Sequence, residues 1–360
     1  MLTTAAPPST EPTPHRALAH VTPNWFGVVM GTGIIAVGAA SLPVDLPGRE
    51  SLARVFWLLA SAALVVVSVA FAAHWIRHRE HALGYARNPA TTPFYGALPM
   101  ALLTVGAGTL AVGSDLLGPF AIGVSASLWV VGTVAGIAAA VAVPPRMRCG
   151  GTPSPSWLMP VVPPMVSATT GAALIPHLPE GAPRLALLLA CYALFGMALA
   201  AALATVTVVA THTYRNGLPA LQALPTFWIP LGVIGQSVAA ANLLGRVSAG
   251  AVDPSVAVNL RTFGVAYGIV TGGVGVLAFC CACLLTAHAT GRGLQFSMTW
   301  WSFTFPVGAC AVGAAALGTA TESIAVQRLS AALLVLLIGA WLVVAAHTAR
   351  GVWTRALFAG

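Results

Sequence analysis

The chain has no lysine, and only 7% of its 360 residues are charged. Without lysine it has no Gly-x-x-x-x-Gly-Lys-Ser/Thr phosphate loop, which excludes a self-contained ATP-driven pump of that kind. Carboxylates are scarce as well: Asp and Glu together number 8, and none lies clearly inside the apolar stretches that fill the chain. Cation transport and a carboxylate proton relay are therefore disfavoured. An intramembrane enzyme lacks the convergent acid, base or metal ligands it would need, so the chain does not read as an enzyme. Disulfides are not expected, because five of the 6 cysteines fall in apolar stretches and Cys149 lies in a polar loop. Cys280-Cys281-x-Cys283 has no fourth ligand close by, so neither a metal nor another cofactor is implied. The formal charge of +8 does not indicate nucleic acid, since the arginines are spread over many short loops rather than gathered on one surface.

What is abundant is apolar surface, at 58% of residues. A hydrocarbon core of about 30 Å takes about 20 apolar residues per helix, and ten stretches qualify: 23–42, 55–75, 93–113, 120–143, 156–175, 185–211, 222–244, 262–287, 296–318 and 329–347. The fold class is all-α integral membrane, in contact with the lipid bilayer over most of its length. Residues 1–20 lack an apolar core and a small-residue cleavage site and read as a disordered cytoplasmic tail, not a signal peptide. Residues 21–350 form one ten-helix transmembrane domain, and 351–360 a short cytoplasmic C-terminus.

Proline divides the spans into two kinds. Pro23 opens span one, and Pro93, Pro99, Pro160, Pro163, Pro164, Pro225, Pro230 and Pro306 lie in spans three, five, seven and nine. The even spans contain none between their ends. Backbone carbonyls freed by proline need partners that exist only inside protein or beside water, so five kinked helices belong inside and five straight ones outside. This amounts to five helical hairpins of about 65–70 residues each in quasi-fivefold arrangement around a central pore.

Charge sets the orientation. The N-terminal tail and the loops after even spans carry Arg16, Arg77, Arg79, Arg87, Arg146, Arg148, Arg215, Arg292, Arg350 and Arg355 against Glu11 and Glu80. After odd spans, Arg49, Arg54, Arg184, Arg246, Arg261 and Arg328 are matched by Asp45, Glu50, Asp115, Glu180, Asp253 and Glu322. Positive-inside bias places both termini in the cytoplasm of a multi-pass protein of the plasma (inner) membrane.

Each odd span has a face of mostly small side chains. Gly27 and Gly31 lie on span one, Thr104 on span three, Ser167 and Gly171 on span five, Gly232 on span seven, and Ser302 and Gly308 on span nine. These read as pore-lining, although small stripes also serve helix contact. The contact motifs Gly132-x-x-x-Gly136 and Gly264-x-x-x-Gly268-x-x-x-Gly272 fall in even spans, and it is the coincidence of stripe, proline and hydroxyl in the odd ones that favours a pore. Gln236, a polar side chain at membrane depth, donates either to an anion or to a neighbouring helix.

Pro23-Asn24-Trp25-Phe26-Gly27-Val28-Val29-Met30-Gly31-Thr32-Gly33, Thr92-Pro93-Phe94, Pro225-Thr226-Phe227-Trp228-Ile229 and Trp300-Trp301-Ser302-Phe303-Thr304-Phe305-Pro306-Val307-Gly308 together resemble the tellurite-resistance/dicarboxylate transporter (TDT) family. That family includes TehA, fungal malate and sulfite transporters and plant slow-type anion channels, and the resemblance covers essentially the whole chain. It implies a homotrimer in which each protomer has its own pore, plugged by a phenylalanine from span nine. The matching position is Phe305, which interrupts the small face of its span between Ser302 and Gly308. The competing reading makes Phe305 a packing aromatic.

An uncharged pathway of hydroxyls, exposed amides and broken-helix termini offers weak sites that release an anion quickly. The function expected is a transporter or channel for small inorganic or dicarboxylate anions, a C4-dicarboxylate such as malate, or sulfite or another oxyanion. The alternatives are a passive chloride/nitrate-type anion channel and a tellurite or toxic-oxyanion resistance exporter.

Overall fold

The computed structural model describes residues 18–358, and all of its regular structure is helical. Of the expected disordered tail, residues 1–17 lie outside the described residues, whereas Ala19 is buried. Among the described residues nine helices are long and apolar enough to cross a membrane.

The inner helices are α1 (Phe26–Ser41), α3 (Ala97–Val112), α5 (Pro163–Leu174), α7 (Ile229–Val247) and α9 (Phe305–Ala320). The outer ones are α2 (Arg49–Arg77), α4 (Phe120–Arg148), α6 (Ala182–Asn216), α8 (Pro254–Gly291) and α10 (Ile324–Trp353). The fifth expected span is the exception to spanning length. Pro160, Pro163 and Pro164 interrupt it, so that a turn at Pro155–Leu158 is followed by only 12 residues of α5. It is nonetheless almost wholly buried and takes its place in the ring.

Each inner helix packs against the outer helix that follows it, and also against its neighbours within the ring: α1 on α3, α3 on α5, α5 on α7, α7 on α9, and α9 back on α1. The ring therefore closes, as the hairpin repeat predicts. Burial separates the two kinds. In the apolar stretches of α1, α3, α7 and α9, 61–78% of residues are buried, against 17–33% in the outer helices, whose Leu, Val and Ile side chains face outward.

Lipid tails are as apolar as leucine, so these helices associate through close packing and hydrogen bonds. The glycine motifs of the even spans supply the first. A methyl group on Gly132 would stand 2.8 Å from Leu103, and one on Gly264 2.7 Å from the Ala241 carbonyl oxygen, whereas Gly272 faces open space. Tryptophans supply the second, each donating its indole N–H across an inner–outer contact: Trp57 to Thr109 (3.0 Å), Trp129 to the Ser167 carbonyl (2.9 Å), Trp228 to Thr286 (2.8 Å), Trp301 to Thr348 (3.1 Å) and Trp341 to Thr32 (2.9 Å).

One expectation about proline fails. α4 does not stop at 143 but runs through Pro144 and Pro145 to Arg148. The carbonyls their rings leave unbonded, at Ala140 and Val141, lie on a partly exposed face in the last turns, so the loss is easily made good there. The one-for-one charge balance of the outer loops does not require contact, and only some of these charges pair directly. Arg49 pairs with Asp45, Arg54 with Glu50 and Asp115, and Arg184 with Glu180, while Arg246, Arg261 and Arg328 form no ion pair among the described residues.

Candidate functional site

Every inner helix is preceded by a short 3-10 turn or a bend: Pro23–Trp25, Thr92–Gly96, Pro155–Leu158 with the bend at 159–162, Leu221–Trp228 and Met298–Phe303. The prolines gather at these junctions. Pro23, Pro163, Pro164, Pro230 and Pro306 occupy the first positions of a helical segment, where a missing N–H leaves no carbonyl unbonded. The break in each inner segment therefore falls at its N-terminal end and not at mid-span.

All five junctions face one cavity. Gly27 of α1, Ala97 at the start of α3, Val162 just before α5, Ile229 at the start of α7 and Phe305 at the start of α9 all line it. Its volume is about 30 Å³, room for one or two waters and too little for a hydrated anion. No ionisable side chain lines it among the described residues. Five α-helix N-termini meet here instead, the ends at which the helix macrodipole carries roughly half a unit of positive charge.

Phe305 is the first residue of α9 and is 2% exposed. Thr304 precedes it with its hydroxyl turned back to the Trp301 carbonyl at 2.8 Å, and Pro306 follows, fixing the chain direction at the junction. Phe303, two residues earlier, points elsewhere and packs edge-on against Trp228 and Trp300.

Of the candidates read from the sequence, the structure brings Gly27, Gly232, Ser302 and Phe305 together around this cavity. The others sit at helix contacts. A methyl group on Gly31 would stand 2.8 Å from the Trp301 ring, one on Gly308 2.5 Å from Ile34, and one on Gly171 2.6 Å from the Cys191 sulfur of outer helix α6. Thr104 donates its hydroxyl to the Met100 carbonyl at 2.7 Å, and Ser167 donates to Pro163 at 3.2 Å while accepting from Thr133 at 2.9 Å. Gln236 is buried, its amide oxygen unpartnered, away from the cavity.

Two kinds of lining residue were not anticipated. Met30, Met100, Met159 and Met298, half of the 8 methionines in the chain, border the cavity. They are flexible side chains that can yield to a passing solute without breaking a hydrogen bond. Asn24 also lines it, and its amide oxygen is buried with no hydrogen-bond partner. A polar group left unsatisfied in an apolar site is costly and calls for a partner. The signal was available in the sequence: Asn24 is the polar residue between Pro23 and Trp25 in the opening motif.

The sequence profile of the SLAC1 family, described as voltage-dependent anion channel, matches residues 20–349. A sulfite efflux pump of Arthroderma otae is 25% identical over 356 residues, covering 95% of this chain and 93% of that protein. A second sulfite efflux pump, from Trichophyton rubrum, is 24% identical over 303 residues, covering 81% and 80%. An uncharacterized transporter of Methanocaldococcus jannaschii is 25% identical over 347 residues, covering 94% and 95%.

Proposed function

This chain belongs to the SLAC1 family of voltage-dependent anion channels, and we propose that it carries a small oxyanion, sulfite or its protonated form, through an uncharged pore that Phe305 closes. The observation that carries this reading is the meeting of five helix N-termini on one cavity without a charged side chain. Such a site attracts an anion through the positive ends of the helix dipoles, and it holds no fixed cation from which the anion must be torn away. The sulfite efflux pumps among its relatives favour sulfite over malate as the cargo. With both termini in the cytoplasm of the plasma membrane, as the arginine distribution favours, the five helix starts face the cytoplasmic side, and the sulfite efflux pumps among the relatives favour export as the direction.

Asn24 supplies the hydrogen-bonding group in this scheme. A carboxamide both donates and accepts, so it suits an oxyanion bearing a proton better than a halide, which can only accept. Replacing Asn24 by leucine is expected to lower sulfite flux on the order of tenfold, the loss of one hydrogen bond to a charged solute, while chloride flux changes little. Equal losses for both anions would remove the selective role.

The whole reading is tested in two ways. Purified protein in liposomes is expected to pass sulfite and other small anions and to exclude potassium. Cells lacking the gene are expected to become sensitive to sulfite and to regain tolerance on complementation. Protection against tellurite alone, or saturable malate uptake without sulfite flux, would overturn the choice of cargo. Large pH-independent chloride currents with no sulfite transport would establish the plain anion channel that the family description favours.

A further inference from the structure

A second polar feature lies at the opposite end of the ring. There the ends of α7 and α9 and the first turns of α8 enclose a cleft of about 280 Å³, bordered by Asn242 and Arg246 of α7, Arg261 of α8 and Thr319 of α9. Two guanidinium groups share this cleft and no carboxylate lines it. Neither arginine forms an ion pair or side-chain hydrogen bond among the described residues, although Arg49, Arg54 and Arg184 on the same side all do. Asp253 and Glu322, the carboxylates closest to them in sequence, pair with neither.

Two like charges on one small cleft repel each other unless an anion sits between them. An oxyanion there converts the repulsion into charge-assisted hydrogen bonds, and the planar guanidinium fork matches two oxygens of one centre. The floor adds a second observation. Asn242 is 5% exposed; its amide nitrogen donates to the Val238 carbonyl at 2.9 Å, but its amide oxygen is buried without a partner. That oxygen is an acceptor, so it meets an ionised oxyanion through a bridging water and not directly.

We propose that the cleft between Arg246 and Arg261 is an oxyanion-binding site at the end of the ring remote from the Phe305 cavity. The chemistry is that of a sulfur or phosphorus centre bearing several oxygens, supplied either by a free anion or by the phosphate of a lipid headgroup. The site is separate from the pore cavity and does not depend on the gating role of Phe305.

The test uses full-length protein with sulfate as the probe. Calorimetry and thermal shift at constant ionic strength are expected to show sulfate binding that weakens at least tenfold in R246Q/R261Q and is partly kept in R246K/R261K, which retains the charge but loses the fork. Native mass spectrometry of protein from lipid nanodiscs separates the two sources. If wild type ignores sulfate but retains phospholipid that R246Q/R261Q loses, the ligand is a headgroup and the site stands. If R246Q/R261Q does not fold, the comparison rests on R246K/R261K, for which weaker binding is again expected. Sulfate affinity and lipid retention that are the same in wild type and in the folded variants overturn the proposal.

Discussion

Replacing Phe305 by alanine is expected to raise sulfite flux through reconstituted protein by an order of magnitude or more, the largest functional change of any single substitution in this chain. The cavity beside the ring has room for only one or two waters. An apolar ring at such a constriction excludes an anion both by filling the space and by denying it water. Alanine removes both barriers at once, and the five helix N-termini are then free to stabilise the ion in transit. The packing interpretation of Phe305 makes a different forecast. As a buried aromatic it would mainly contribute stability, where Phe→Ala typically costs about 3–5 kcal/mol, and its loss would not open a path. Phe303 provides the control, since it lies close in sequence but packs on Trp228 and Trp300. Phe303→Ala should lower thermal stability and leave flux near the wild-type level. Flux that is unchanged in Phe305→Ala at equal reconstitution would remove the gate from the proposal.

The sequence exposes the large features of this fold because each has a physical cause that acts locally. Proline cannot sit in a regular helix without a partner for the freed carbonyl, and so it marks the five inner segments. Where sequence reasoning misplaces the effect is in the depth of the break: Pro230 and Pro306 occupy the first turn of α7 and α9, where they start a helix and do not kink one. Pro144 and Pro145 show the limit of the rule, since near an exposed helix end the penalty is small and α4 runs past both. Hydroxyls were harder to read. Thr32, Thr104 and Ser167 stand on inner helices and each donates its hydroxyl to the carbonyl four residues back, while the donors that reach two of them, Trp341 for Thr32 and Thr133 for Ser167, come from far away in the chain. The methionines carry no periodic or charge signal, and their convergence from four different segments appears only once the ring closes.

The small faces of the inner helices are where the two readings of a glycine can be separated, and Gly235 gives the sharpest case. It lies on the same stripe as Gly232, one turn nearer the middle of α7, but its surroundings differ. A methyl group at Gly232 would be 3.7 Å from Pro306, an ordinary contact at the edge of the cavity. At Gly235 it would be 2.6 Å from the Ala309 carbonyl oxygen and in collision with the α9 backbone around Ala309 and Cys310. From the other side, a methyl on Gly313 would reach within 2.6 Å of the Gly235 carbonyl oxygen. The two helices touch backbone to backbone, and no rotamer change can relieve an added carbon. Gly235→Ala is therefore expected to destabilise the protein by about 1–3 kcal/mol, the usual range for overpacking, even though alanine is the better helix former by about 1 kcal/mol. Gly272→Ala, on α8 with nothing within 4 Å, isolates that helix-propensity gain and should be neutral or slightly stabilising. Apparent melting temperatures in detergent, with monodispersity on size exclusion, would measure both. Because α9 carries Phe305 at its start, pushing it away from α7 should also disturb the proposed gate, so Gly235→Ala is expected to combine lower stability with altered flux. An alanine tolerated at Gly235 as well as at Gly272 would mean that α7 and α9 are not in backbone contact, and the small face of span seven would return to being a wall of the pore.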